Sequence, residues 1–253
     1  MTKESTLTFG TGGIRGIMGS DPGSMNESMV ARVTKGLAEY LKKTGGTSVC
    51  IAYDTRNNSK KYAEVAMSVL TDAGIRVYYY SDVRPTPMLS FAIRHNSADA
   101  GIVITASHNP PEYNGYKIYG PDGGQITDTI SNTISKYINS LESPDTNTVT
   151  VKQNLIECID EIDSIYYEKV IDLSLRKEML RQNAPYLAIL YTPLHGTGSI
   201  PVRYVLNNNG FSNLVVMDCM CSHFHYNSAN THRIHFRKNF VQLNRVGCCQ
   251  FTF

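Results

Sequence analysis

No stretch of this 253-residue chain approaches the roughly 18 uninterrupted apolar residues of a membrane-spanning helix, so a membrane is not an expected partner. The opening residues, MTKESTLTFG, lack the apolar core of a secretory signal, and the cytoplasm is the expected compartment. Acidic residues are missing from the end of the chain. All 22 Asp and Glu lie at or before Asp218, and the four basic residues beyond it (Arg233, Arg237, Lys238, Arg245) stand without acid. The net charge of +2 and pI near 8.1 therefore come from that tail. The body is slightly acidic, which excludes a polyanion-binding surface and removes nucleic acid from the expected partners. What remains is ordinary globular composition, 42% hydrophobic and 18% charged. That is enough for a sizeable core, and it excludes a disordered tail protein, a coiled coil or a collagen-like fibre. At about 150 residues per domain, the length suits one large domain or up to two.

The body reads as alternating strands and helices, the α/β class. Residues 25–43 put Met29, Val33, Leu37, Tyr40 and Leu41 at helical spacing, with basic residues in the last turn. SVCIAYD at 48–54 reads as a strand, 59–73 as a helix stopped by Gly74, and IRVYYYSD at 75–82 as a second strand. A short helix is expected at 88–96 behind the turn RPTP; His95 and Tyr78 to Tyr80 read as structural. AGIVIT at 100–105 is apolar throughout, as in a sheet covered on both faces. Residues 106–124 read as loop with YKIY extended. Helices near 127–141 and 159–182 flank a polar link at 143–154. The pattern then restarts: strand at 186–192, Gly-rich turn, helix, and strand at 211–218. A second domain is therefore placed from Pro185.

Open α/β sheets bind ligands at the carboxyl ends of their strands, so the loops there are the candidate chemistry. They read Asp54-Thr55-Arg56, then Arg84-Pro85-Thr86-Pro87, then Thr105-Ala106-Ser107-His108-Asn109-Pro110-Pro111 followed by Asn114-Gly115-Tyr116-Lys117. Gly10 to Gly16 lies ahead of them. Together they offer one nucleophile, Ser107, an adjacent imidazole, a lysine, several arginines and Gly-freed backbone amides. This inventory suits a phosphorylated small molecule. Singly, each has a plainer reading. Gly10 to Gly16 reads as a turn before the first helix and lacks the Lys-Ser/Thr of a P-loop. Asp54-Thr55-Arg56 reads as a turn with a surface ion pair. Ser107 beside His108 has no G-x-S-x-G elbow and is not a hydrolase signal.

In order, FGTGGIRG, YDTRNNS, RPTP, TASHNPPEYNGYKIYGPDGGQI and YTPLHGTG resemble the α-D-phosphohexomutase family of phosphoglucomutases and phosphomannomutases over residues 7 to about 218. The form TASHNPPEYNGYK with YTPLHGTG looks closest to the branch with phosphopentomutase-like, glucose 1,6-bisphosphate-associated members. The resemblance implies a mixed, mostly parallel sheet with helices on both faces over 1–184 and an incomplete second α/β domain at 185–218. It implies phosphotransfer between C1 and C6 of a hexose phosphate, glucose or mannose, through phosphoserine at Ser107 and a bisphosphate intermediate. A glucose 1,6-bisphosphate-type activator would accompany it. Arg15 and Lys117 match the positions flanking the phosphoserine, with Lys117 assisting proton transfer and His108 supporting. Arg56, Thr105, Asn109, His195 and Gly196 are implied as substrate-binding.

The family's magnesium loop, D-G-D-x-D-R, is absent, so of the Mg²⁺ ligands only Ser107, through its phosphate, would be present. The nearest acidic cluster, Asp160-Glu161-Ile162-Asp163, reads as helical and lacks the Gly and Arg. The sugar-selecting and phosphate-binding loops of the later domains are absent as well. Residues 219–253 hold four of the six cysteines (Cys219, Cys221, Cys248, Cys249) and four of the seven histidines (His223, His225, His232, His235). Their spacing is not C-x2-C. The abrupt loss of acids and periodicity reads as a shifted frame or truncated gene, giving a disordered tail rather than a zinc module. The chain is thus expected to be a mutase-family fragment with little turnover alone. The alternatives are a phosphopentomutase-related member or a non-catalytic sugar-phosphate-binding fragment.

Overall fold

The two most apolar runs of the body lie side by side. In the computed structural model, which describes residues 9–10, 12–141, 151–217 and the backbone of 241–242, β2 (Ser48–Tyr53) and β4 (Ala100–Ile104) pair in parallel and are buried along their length. Around them runs a six-stranded sheet. Its order is β1 (Ile14–Ile17), β5 (Tyr113–Tyr119), β4, β2, β3 (Arg76–Tyr79) and β6 (Ile156–Cys158). The β4–β2, β2–β3 and β3–β6 pairs are parallel, whereas β5 runs antiparallel to both β4 and β1.

Strand alternation sends side chains to two helical layers. Val49, Ile51, Ile102 and Ile104 enter one core with α1 (Glu27–Thr44), α2 (Ser59–Asp72) and α4 (Asp128–Ser140), where Val33, Leu37, Leu70 and Ile134 are buried. On the other face lies α3 (Thr86–His95), so close that a Cβ at Gly101 would run into Ile93 and Leu89. Cys50 sits beneath this layer, its thiol pushed up to about 12 by burial, against a smaller opposite effect of Asn96. The expected fold, α/β with helices on both faces, is the one observed. α1 also starts and stops for local reasons: the Asn26 side chain accepts from the Met29 N–H, and Gly45 closes the end at φ 82°.

Three elements differ from the sequence reading. Gly10 to Gly16 is not merely a turn, because Ile14–Ile17 forms β1, with Ile14 and Gly16 buried and Arg15 and Ile17 exposed. A four-residue strand in a glycine-rich run carries too little signal to be seen. Ile156–Cys158 is an edge strand, and Asp160 follows it in a turn rather than in a helix. The long helix expected at 159–182 is two, α5 (Ile162–Asp172) and α6 (Lys177–Asn183). Between them the Ser174 hydroxyl bonds the Asn209 side chain at 2.7 Å, and Leu173 and Leu175 are exposed.

The chain divides into two units, Met1–Ile162 and Asp163–Phe253. The division lies before the 184/185 boundary expected from the sequence restart, since α5 packs within the second unit: Tyr167 packs against Tyr204 with ring centres 4.8 Å apart. The second unit has a parallel sheet ordered β8 (Leu214–Val216), β7 (Ile189–Tyr191), β9 (Val241–Gln242), with α7 (Ser199–Asn208) between β7 and β8. Apart from the β9 backbone, the tail reading over 219–253 lies outside the described residues.

Asp99, just ahead of β4, fastens the start of β2. Its carboxylate accepts from the Thr47 N–H at 2.7 Å and from the Ser48 N–H and Oγ at 3.0 Å. Burial alone would raise its pKa, but these donors outweigh burial and hold it below the ordinary value. A depressed carboxylate stabilises above its unfolded value of about 3.9, and that contribution disappears as pH falls through the folded value. Asp99→Ala is therefore expected to cost about 1 kcal/mol at pH 7, with water replacing part of the lost bonding. The difference from wild type should shrink toward pH 3 in urea titrations monitored by circular dichroism. A difference that stays constant with pH would contradict this role.

Candidate active site

Ser107 stands in the turn after β4, exposed, with φ 58°. A non-glycine residue in this left-handed region costs about 1–2 kcal/mol, so its surroundings must hold it there. Thr105, buried at the end of the strand, accepts the Ser107 N–H on Oγ1 at 2.9 Å and donates its own N–H to Gly115 O at 3.0 Å. Arg56, in the loop after β2, reaches across. One terminal nitrogen donates to Ser107 O (2.8 Å) and Asn109 O (2.6 Å), the other to Pro110 O (2.9 Å) and Tyr113 O (3.1 Å). Its Nε lies 3.4 Å from Asp54, and the two side chains are only 10% and 17% exposed. Asp54–Arg56 is therefore a largely buried pair, not the surface pair read from the sequence.

A buried polar chain backs this pair. Asp54 Oδ1 accepts the Ser59 hydroxyl at 2.7 Å and the Arg56 N–H at 3.0 Å. Ser59 Oγ in turn accepts from Asn114 Nδ2 at 2.9 Å, and Asn114 is fully buried. Gly115 follows because nothing larger fits: a Cβ there would meet Thr105 O at 2.6 Å and Ile14 O at 2.8 Å, both backbone. The run Asn114-Gly115-Tyr116-Lys117 thus has a use at each position, with Tyr116 buried and 3.0 Å from the Thr34 hydroxyl. Sequence reading singled out Arg56 and Lys117 but missed Ser59, Asp54 and Asn114 as supports.

Two further cations stand beside the serine turn. Arg15, on β1 opposite Gly115, donates to Asn109 Oδ1 at 3.0 Å. Lys117, on β5 opposite Val103 of β4, is half-buried, and no described hydrogen bond or ion pair engages its ammonium. Burial first, then the positive charge of Arg15, lower its pKa, with Asp54 acting the other way. The amine is therefore closer to proton exchange near neutral pH than an exposed lysine would be. His108 is exposed, its Nδ1 3.4 Å from Ser107 Oγ, a separation too long for a nucleophile–base hydrogen bond. The first unit thus gathers Arg15, Arg56, Thr105, Ser107, His108, Asn109 and Lys117 around one turn. His195 and Gly196 lie in the second unit between β7 and α7, where the Gly196 N–H donates to Pro193 O at 2.9 Å. Among the described residues, no three His, Cys, Asp or Glu side chains cluster to hold a metal ion, and no helix is long and apolar enough to cross a membrane. Asp160, the nearest acidic candidate by sequence, instead accepts from the Ser81 N–H at 3.0 Å and faces Arg84 at 3.4 Å.

The site is thus an α/β/α layer that presents a serine turn at the carboxyl ends of β2 and β4, with Arg56, Arg15 and Lys117 around it. The family model described as phosphoglucomutase/phosphomannomutase, alpha/beta/alpha domain I, matches residues 6–145. The phosphoglucomutase of Staphylococcus haemolyticus (strain JCSC1435) is 38% identical over 221 residues, covering 86% of this chain and 40% of that protein. That of Staphylococcus aureus (strain N315) is 36% identical over 228 residues with the same coverage. A structure described as a phosphomannomutase from Thermus thermophilus superposes with a TM-score of 0.72 at 25% identity, over 83% of this chain and 45% of that one. The parafusin phosphoglucomutase of Paramecium, at 14% identity and a TM-score of 0.64, shares the fold over 87% of this chain and 44% of its own. The chain belongs to the phosphoglucomutase/phosphomannomutase family, and it spans about 40% of the length of these curated relatives.

Gly115→Ala is expected to destabilise the first unit by about 1–3 kcal/mol, because both atoms in its way are backbone oxygens that cannot turn aside. Urea unfolding checks this, and a variant as stable as wild type would show that β5 and the serine turn can separate at no cost.

Proposed function

We propose that this chain is the phosphoryl-carrying part of a phosphohexomutase, moving phosphate between C1 and C6 of glucose or mannose phosphates through phosphoserine 107 and a bisphosphate intermediate. The observation that carries this is the exposed hydroxyl of Ser107 on a turn fixed by Arg56, with Arg15 and Lys117 beside it. In the first transfer the Ser107 Oγ–P bond breaks as the free sugar hydroxyl forms its own bond to phosphorus, giving the bisphosphate and free serine. The hydroxyl proton passes by way of the Lys117 amine, whose pKa burial lowers, to the Ser107 Oγ that departs from phosphorus. In the second transfer the other phosphate returns to Ser107 Oγ, and the serine proton passes by way of Lys117 to the departing sugar oxygen. Arg15 offsets charge on the phosphoryl oxygens, which is most of what such a transfer asks of a protein. A glucose 1,6-bisphosphate-type activator would charge the serine initially.

The family's Mg²⁺ does not fit the described residues alone. Ser107 would offer one phosphate oxygen and no carboxylate cluster accompanies it, so no step is routed through the metal. That donor set, together with the 40% span of relatives, favours a second reading in which the chain binds or carries the phosphate without completing turnover.

Peptide mapping of the purified chain is expected to find phosphate on Ser107 within residues 101–120. Coupled turnover of glucose 1-phosphate by the chain alone should not exceed that of Ser107→Ala. A Ser107 that never carries phosphate, even after incubation with glucose 1,6-bisphosphate, would overturn the carrier role. Turnover well above the Ser107→Ala control would instead show that the chain is a complete mutase.

A further inference from the structure

Arg56 has no donor left for a substrate. Both terminal nitrogens are directed at four main-chain carbonyls of the serine turn, and Nε faces Asp54. All four carbonyls belong to residues 107–113, and the guanidinium fork gathers them on one side. No peptide in the described chain is cis, so where the Ser107 C=O points at Arg56 the N–H of the same peptide, that of His108, points the other way. The other amides at the head of the turn are occupied: the Ser107 N–H donates to Thr105 Oγ1 and the Asn109 N–H to Ala106 O. No described hydrogen bond takes up the His108 N–H.

We propose that Arg56, fixed through Asp54, Ser59 and Asn114, is the positioning residue that readies Ser107 for phosphoryl transfer: it draws four carbonyl oxygens away from the phosphoryl group and leaves the His108 amide N–H to receive one of its oxygens. This role presupposes Ser107 as the phosphoryl carrier, as proposed above. Carbonyl oxygens carry partial negative charge, and left to turn outward they would face a phosphoryl group that is itself an anion. A fork of five N–H donors can hold several carbonyls in one plane, whereas a lysine ammonium is a point charge that cannot. The transfer itself is unchanged: the donor's P–O bond breaks, the Ser107 Oγ–P bond forms, and the serine proton passes by way of Lys117 to the sugar oxygen.

The test is labelling of the full 253-residue chain by glucose 1,6-bisphosphate carrying ³²P, comparing wild type, Arg56→Lys and Ser59→Ala, with circular dichroism to confirm folding. Misplacing a reacting group by about 1 Å costs on the order of 100-fold, and that is the loss of labelling rate expected for Arg56→Lys. Ser59→Ala, which removes one support behind Asp54, should lose several-fold. In ³¹P NMR, the second ionisation of phosphoserine 107 should lie below the ordinary value of about 6 in wild type and return toward it in Arg56→Lys charged by prolonged incubation. Equal labelling rates and equal ³¹P titrations in wild type and a folded Arg56→Lys would overturn the positioning role. If Arg56→Lys does not fold, a labelling rate in Ser59→Ala equal to that of wild type would do so. A wild-type chain that takes no label would overturn the carrier reading itself, and this role with it.

Discussion

A single guanidinium, that of Arg56, ties the carboxyl end of β2 to the turn after β4. Charge-assisted hydrogen bonds are the strong ones, and here four are concentrated on one turn of main chain in a largely buried setting. Ser107 can be held at φ 58° because neighbouring peptides have nowhere else to point. A buried guanidinium also requires a compensating carboxylate, and Asp54 supplies it. Asp54 in turn requires donors, and Ser59 and Arg56's own N–H supply those. The polar layer beneath the serine is thus a chain of obligations that begins with one charge.

The rest of the first unit fixes the distance this side chain must cross. β2 and β4 are adjacent and buried on both faces, so their carboxyl ends are fixed side by side. Two aspartates secure the sheet from opposite ends. Asp99 fastens the start of β2 through Thr47 and Ser48, while Asp160 holds the stretch after β3 through Ser81 and Arg84. Both have lowered pKa values although burial acts against them, because the donors around them favour the carboxylate.

Much of the fold was legible in the sequence because the long elements have strong periods. The helix over 25–43 and the apolar run at 100–105 appear within a residue or two of their expected bounds. β1 and β6 were not legible, being short edge strands whose pairing is decided by partners far along the chain. The site was legible in its parts but not in its wiring. Ser107, Lys117 and Arg15 stood out by residue type within ordered motifs, and Arg56 did so too. That Arg56 faces inward to carbonyls, rather than outward to a ligand, depends on the crossing of two loops and leaves no trace in spacing. Asn114 was equally hidden, since a buried asparagine and a solvated one are written the same way.

Arg56 and Ser107 are 51 residues apart, separated by two helices and a strand that must cross over before β4 can lie beside β2. The bonds that shape the turn therefore require that long closure, and no local segment can make them alone. Without that closure Ser107 lacks the Arg56 bonds that hold its left-handed turn. The chemical distinctiveness of Ser107 is thus a property of the finished topology, and its state reports whether the first unit has folded.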